Sequence, residues 1–325
     1  MNSRLRDCLD IVRQMEEAVR LYSVDHVLIL GDIFESRTKL DVDVVSYAVQ
    51  AISSLAKAVP QSVWLLRGNH DLYARAGDVH SLEVFRGIDG VFVIDEPQVC
   101  LPIGGCRIAA YPYTADVDSL KSDFDQLSAV DLVLIHQALR EGTIGPYART
   151  IAAELSVTDL PLDKCRYVFA GDFHRRQFFG PDNRVHYIGS PLQLKVDEIG
   201  EEKGFTLLDT DSWQLYTIPT QFPKFHVFTN PQAAADAIAD GTADPVRDFI
   251  RLEYQEADAA GAEELKQTHG RLQLDVKTEQ HSLARTTAAI TDSDHELLAE
   301  YAEQRNHLLP QDVLVTVGLE LLEGE

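Results

Sequence analysis

Seven residues of types that can bind metals or move protons stand just past the ends of short apolar runs. Val27, Leu28, Ile29 and Leu30 lead into Gly31-Asp32, and Val63, Trp64, Leu65 and Leu66 lead into Gly68-Asn69-His70-Asp71. Leu132, Val133, Leu134 and Ile135 lead into His136, and Tyr167, Val168, Phe169 and Ala170 lead into Gly171-Asp172-Phe173-His174. Asp, Asn and His with no cysteine beside them form a hard-to-borderline donor set. It suits Mn, Mg, Fe or Zn rather than a thiolate-loving metal. Asp32, straight after Gly31, is placed to bridge two ions. Two ions about 4 Å apart clamp a phosphate and activate a water for in-line attack. Asn69 offers a neutral carbonyl oxygen. His70 is too close to Asn69 in sequence to be a second ligand of the same ion. It is better placed to protonate a leaving oxygen or to stabilise charge on a phosphate, with Asp71 to orient it.

Taken singly these residues are weak signals. An Asp after a strand often caps a helix, and an isolated His is usually a satisfied loop residue. Their recurrence at several strand ends of one chain lifts them above that level. In open α/β sheets, chemistry gathers at the carboxyl ends of the strands. Three further residues lie close enough in sequence to meet a substrate: His80, in Asp78-Val79-His80, and the pair Arg175-Arg176 directly after His174.

The elements that must carry these residues can be read from periodicity. Apolar positions Leu9, Val12, Met15, Val19 and Tyr22 predict a helix over 9–22, and a second amphipathic helix spans 43–58, ended by Pro60. The four apolar runs read as strands buried on both faces. Strand, helix and strand in that order predict a βαβ crossover in a partly parallel sheet. Short strands over 91–94, 98–101 and 107–111 look like a meander, and 185–218 repeats that pattern. The fold class is therefore α/β with α+β elements: two sheets in a sandwich flanked by helices.

The Pro-punctuated stretch 219–223 marks a boundary. The division expected is a main domain over 1–220, a small α/β capping unit over 221–289 and a helical tail over 290–325. The small unit reads as strand 248–254, helix 259–268 and strand 271–276, followed by a polar linker. In the tail, Ser293 with Glu296 forms a capping box for a helix over 294–306, and a last apolar helix covers 313–322.

The chain has 325 residues, 45% of them hydrophobic, enough for a large domain plus a smaller one. Its charge, 29 − 52 = −23, does not look like that of a stand-alone DNA binder, because phosphate contacts need Lys and Arg. Nucleic acid is still allowed as a substrate if bound cations or a partner supply positive charge. An acidic surface with few Lys would also suit a high-salt cytoplasm. No apolar run is long enough to span a membrane, and Met1 to Asp10 lacks the apolar core of a secretory signal. A cytoplasmic location is expected, in the host cell if the chain is viral. Cys8, Cys100, Cys106 and Cys165 form no C-x-x-C pair and read as free thiols.

Gly31-Asp32-Ile33-Phe34, Gly68-Asn69-His70-Asp71, His136 and Gly171-Asp172-Phe173-His174 together resemble the motifs of the calcineurin-like metallophosphoesterases. With Tyr187-Ile188-Gly189-Ser190-Pro191, they resemble the SbcD-type DNA repair nucleases within that superfamily. The tail, from Ile290-Thr291-Asp292-Ser293-Asp294 onward, is similar to that of the phage recombination endonuclease subunits. The resemblance implies two divalent ions, Mn first and Mg second. Asp32 would bridge them, Asn69 and His136 would hold one ion, and His174 the other, with His70 as the transition-state histidine. It implies exonuclease and endonuclease activity on DNA, a homodimer, and an SbcC-type ATPase bound through the C-terminal segment. Leu40, Tyr47, Leu82 and Phe85 fall in the stretches marked as candidates for the dimer contact.

The chain departs from that pattern twice. Its last motif is Gly-Asp-x-His instead of Gly-His-x-His, and Asp172 can still ligate a hard metal. The opening strand ending in Asp-x-His is missing, and Asp25-His26 has the wrong spacing to replace it. A start placed downstream of the true one is the expectation. Loss of one metal site, leaving a scaffold that grips DNA and the ATPase, is the alternative. A different phosphoesterase of the same fold, acting on phosphoproteins or cyclic nucleotides, is the other.

Overall fold

A computed structural model describes residues 3–74, 77–145, 149–150, 152–269 and 272–276. The expected tail, with its two helices and its capping box, lies outside the described residues, as does the linker after 276.

The first half alternates helices and strands: α1 (Ser3–Tyr22), β1 (His26–Ile29), α2 (Val42–Ala58), β2 (Ser62–Leu66) and β3 (Val91–Ile94). Then come β4 (Gln98–Ile103), β5 (Cys106–Tyr111), α3 (Val117–Gln126) and β6 (Leu132–His136). The short pair β7 (Thr143–Ile144) and β8 (Arg149–Thr150) precedes β9 (Tyr167–Gly171), β10 (Gln177–Phe179) and β11 (Val185–Tyr187). A hairpin, β12 (Gly204–Asp209) and β13 (Gln214–Pro219), is followed by β14 (Phe225–Phe228), α4 (Pro231–Ala239), β15 (Phe249–Tyr254), α5 (Ala259–Thr268) and β16 (Gln273–Val276).

The strands form two principal sheets, as the two-sheet reading expects. β1, β2 and β3 are parallel in that order. The second sheet runs β10-β11-β9-β6-β5-β4, with its central pairs parallel and both edge pairs antiparallel. The meanders are corrected in part. β4 and β5 do form a hairpin, but β3 pairs with β2 in the first sheet. Likewise β11 joins the second sheet, while β12 and β13 pair only with each other among the described residues. A run of short strands cannot show which sheet each one enters, because parallel pairing links strands distant in sequence.

Side-chain alternation explains the layers. Val63 and Leu65 of β2 pack toward the helices with Val19, Ile52 and Leu55. Trp64 and Leu66 face the other sheet, where Ile108, Leu132, Leu134 and Phe169 meet them. On the far side, Val133, Ile135, Val168 and Ala170 pack with Leu120 and Phe124 of α3. The order is helices, sheet, sheet, helix. By the same alternation His136, two residues beyond Leu134, falls on the face between the sheets. A separate cluster, with Ile250, Leu252 and Ala262, holds the three-stranded parallel unit β14-β15-β16. Sequence periodicity found β15, α5 and β16 there but not β14 or α4.

One edge of β1 is unpaired among the described residues. A cavity of about 1380 Å³ lies beside it, lined by β1 itself, by Val12 and Met15 of α1, by Leu134 and Phe169 of the second sheet, and by β12. All four residues of β1 are only half-buried, unlike the central strand β6, which is fully buried.

Candidate active site

The carboxyl ends of β1, β2, β6 and β9 meet at one rim, and each supplies a polar group. Asp32, His136 and Asp172 offer ligand atoms that all lie within 4.8 Å of one another. His136 is the buried centre. Its Nδ1 is 2.6 Å from the Leu30 carbonyl, and since a carbonyl only accepts, this nitrogen carries the proton. Nε2 is thereby turned toward Asp32 Oδ2 at 3.3 Å, Asn69 Oδ1 at 3.2 Å and Asp172 Oδ1 at 3.9 Å. A histidine whose second nitrogen is tied to a carbonyl is how proteins fix a metal ligand.

The loops are held by closeness of backbone. A Cβ at Gly31 would sit 2.2 Å from His136 Nδ1, and one at Gly68 would sit 2.2 Å from Asp32 Oδ1. A Cβ at Gly171 would sit 2.0 Å from the Leu30 carbonyl oxygen. Glycine at these positions is a packing requirement of the rim. Asp32 and Asp172 have φ of 56° and 91°, a left-handed conformation that L-residues adopt at some cost.

Asp71 has partners other than those the sequence suggested. Its buried carboxylate accepts from the backbone N–H groups of Asp32, Ile33, Phe34 and Gly68. It therefore clamps the two loops, and no hydrogen bond joins it to the His70 ring. His70 donates its backbone N–H to Asp32 Oδ1 at 2.8 Å, while its ring Nδ1 bonds the Glu35 carbonyl at 2.9 Å. That leaves Nε2 of a partly exposed ring as the nitrogen available for chemistry.

The charges respond to one another. Burial pushes the Asp32 carboxyl up, but the His136 hydrogen bond and charge, aided by His70, outweigh it and hold Asp32 below the ordinary value. Burial opposes protonation of His136, yet the Asp32 hydrogen bond and both carboxylate charges raise its pKa. Burial raises Asp172; His136 pulls it back and Asp32 pushes it further up. No Lys or Arg pairs with Asp32 or Asp172 among the described residues. Two carboxylates, an amide oxygen and an imidazole nitrogen, crowded together without a basic partner, fit a hard or borderline divalent cation.

His174 stands beside this cluster and outside its 4.8 Å circle. Its Nδ1 is 2.8 Å from Glu198 Oε1. Of the expected substrate contacts, His80 is corrected. It is buried, and its Nε2 lies 3.1 Å from Glu83 and 3.2 Å from Asp95, which take up the ring. Arg176 is also committed elsewhere, to Thr206, Thr217 and the Gly204 carbonyl of the hairpin. Arg175 is half-exposed and keeps its guanidinium free of ion pairs among the described residues. Asp25-His26 lies at the amino end of β1, opposite the rim, where His26 Nδ1 bonds Ser62.

Glu198 went unnoticed in sequence because it belongs to no motif and only the fold brings it to His174. In the stretches 40–47 and 82–85, Leu82 and Phe85 are fully buried core residues, whereas Val42 is 85% and Val84 39% exposed. All four cysteines are unpaired, Cys106 and Cys165 buried.

A two-sheet core with helices outside and Asp, Asn and His gathered at one rim defines a metal-dependent phosphoesterase. Residues 3–176 match the calcineurin-like phosphoesterase model, and the chain belongs to that family. Two relatives give the likeness more detail. The chain is 24% identical to the SbcD component of the nuclease SbcCD of Bacillus subtilis (strain 168), across 99% of this chain and 94% of that protein. It is 25% identical over 177 residues to a protein of Invertebrate iridescent virus 3 named as a phosphoesterase, 078R. That match covers 52% of this chain and spans about half, 48%, of the viral protein. No helix among the described residues is long and apolar enough to cross a membrane.

Proposed function

We propose that this chain is the nuclease subunit of an SbcC/SbcD-like complex for recombination and double-strand-break repair, hydrolysing DNA phosphodiester bonds as exonuclease and endonuclease. The observation that carries the proposal is the rim of Asp32, Asn69, His136 and Asp172, taken with a likeness to an SbcD protein that runs the length of the chain. Asp32, Asn69, His136, Asp172 and His174 would hold two divalent ions, Mn first and Mg second. Bound there, they would supply an activated water and neutralise phosphate charge. His70, with its Nδ1–H held by the Glu35 carbonyl, would as the doubly protonated imidazolium give its Nε2 proton to the leaving oxygen. Arg175 is the remaining substrate contact among those expected. An SbcC-type ATPase, bound through 290–325, and a second copy of this chain would be the partners, in a cytoplasm. The same reading divides the chain into a nuclease domain over 1–220, a capping unit over 221–289 and the tail.

We also propose that the cavity beside β1 takes one further strand. α1 lies over it as the crossover helix of a βαβ unit would, so that strand would run parallel to β1. Its carboxyl end would reach the rim, the place that the resemblance gives to Asp-x-His. The alternative reading is a scaffold subunit without turnover.

Mn-dependent degradation of linear DNA, with His70→Ala alongside, separates the two. Degradation that disappears in the variant supports the nuclease. No degradation by this chain, but degradation after a strand ending in Asp-x-His is joined ahead of Ser3, supports the strand proposal. No degradation in either form, with ATPase binding intact, supports the scaffold.

A further inference from the structure

We infer that Glu198 is the positioning residue of His174: its buried carboxylate fixes the ring so that Nε2 is the nitrogen presented to a metal. The inference rests on the proposed role of His174 as a ligand. Glu198 Oε1 is 2.8 Å from His174 Nδ1, and a carboxylate at that place holds the proton on Nδ1. The lone pair is then on Nε2. The side chain of Glu198 is 5% exposed, so it has no freedom to leave.

The carboxylate is itself held. Its Oε2 accepts from the Leu194 N–H at 3.1 Å and pairs with Lys203 Nζ at 2.8 Å. Lys203, 1% exposed, also reaches the His174 carbonyl at 2.8 Å, Ser190 Oγ at 3.0 Å and Glu201 at 2.8 Å. The same buried pair therefore fixes His174 twice, through its ring by Glu198 and through its backbone by Lys203. A buried ion pair is a weak source of stability, because desolvation offsets most of its attraction. Its position on both ends of one exposed-edge histidine points to placement of that ring.

The two histidines would also differ as donors. His136 Nδ1 faces a neutral carbonyl and His174 Nδ1 faces an anion.

The test uses the whole chain with and without Mn2+. Long-range 1H–15N spectra of the metal-free protein report the His174 tautomer, and calorimetric titration reports Mn2+ affinity. Glu198→Leu, which removes the acceptor, is expected to shift His174 away from the Nδ1–H tautomer and to lower affinity by about 10–100-fold. In a His174→Ala background the same substitution should change affinity no further. Glu198→Leu combined with Lys203→Met removes the acceptor and both buried charges together and covers the case in which the single variant does not fold. An unchanged tautomer in both variants overturns the positioning role. An equal loss of affinity with and without His174 also overturns it, since Glu198 would then act through the fold. A tautomer that depends on Glu198, with affinity unmoved by His174→Ala, overturns instead the reading of His174 as a ligand.

Discussion

Two groups of one histidine and two carboxylates lie close enough to hold an ion among the described residues, and only one fits a metal. At the rim, Asp32 and Asp172 face His136 with no basic residue paired to either carboxylate among the described residues. In the second cluster, Glu83 and Asp95 face His80, but Arg86 bonds both carboxylates. The second cluster carries its own cation, so its charges are met within the protein. It also lacks the close glycine backbone of the rim. Ligand types and distances are alike in both; what differs is whether the protein has already balanced the negative charge.

The largest effect should come from the rim itself. Asp32→Ala removes the proposed bridging carboxylate and a loop contact to His70. Mn2+ affinity is expected to fall by more than about 100-fold, beyond what loss of an outer partner produces, and titration calorimetry measures this. Gly68→Ala leaves every ligand in place but puts a Cβ 2.2 Å from Asp32 Oδ1 and 2.5 Å from its backbone nitrogen. Displacing the loop should lower affinity by about 10–100-fold, an indirect loss.

The second cluster gives smaller changes. Arg86→Met removes its built-in cation. Because Arg86 is 42% exposed, stability should fall by only about 0.5–1 kcal/mol in a denaturant titration. The informative outcome is a new, weaker Mn2+ site at His80, Glu83 and Asp95, with rim affinity unchanged. If no second site forms, the charge-balance explanation of the difference fails.

The smallest effect is on pH. Burial pushes Asp95 up, but the Arg86 and His80 hydrogen bonds outweigh it and hold it below 3.8. A carboxylate depressed on folding adds stability that is present above its unfolded value and lost as pH falls through the folded one. Thermal melts of the wild type and Asp95→Asn should therefore differ near neutral pH, with the difference shrinking as pH falls below about 3.8 and gone only below the folded value. A difference that persists in acid would mean that Asp95 acts through packing.

Much of the fold and of the rim was legible in the chain. Each apolar run became a strand, fully buried in β6 and half-buried in β1, and each polar residue fell where the strand ends. Sequence could also show that Gly31, Gly68 and Gly171 precede the ligands, though not that their backbones touch the ligands themselves. The misreadings have a common cause. His80 and Arg176 stand near the motifs in sequence, but their side chains turn to Asp95 and to the β12–β13 hairpin. Asp71 follows His70 directly, yet its carboxylate is used by four backbone N–H groups. Glu198 and Lys203 carry no motif and gain their meaning only from contact across the fold. Neighbours in sequence were legible; partners that meet through packing were not.

The central claim is that the rim, and not the second cluster, binds the divalent ion. Calorimetric titration of Mn2+ into the wild type, His136→Ala and Asp95→Asn tests it directly. The account predicts equal binding by the wild type and Asp95→Asn, and loss of binding in His136→Ala. Binding kept in His136→Ala and lost in Asp95→Asn would contradict it, as would a wild-type chain that takes up no Mn2+.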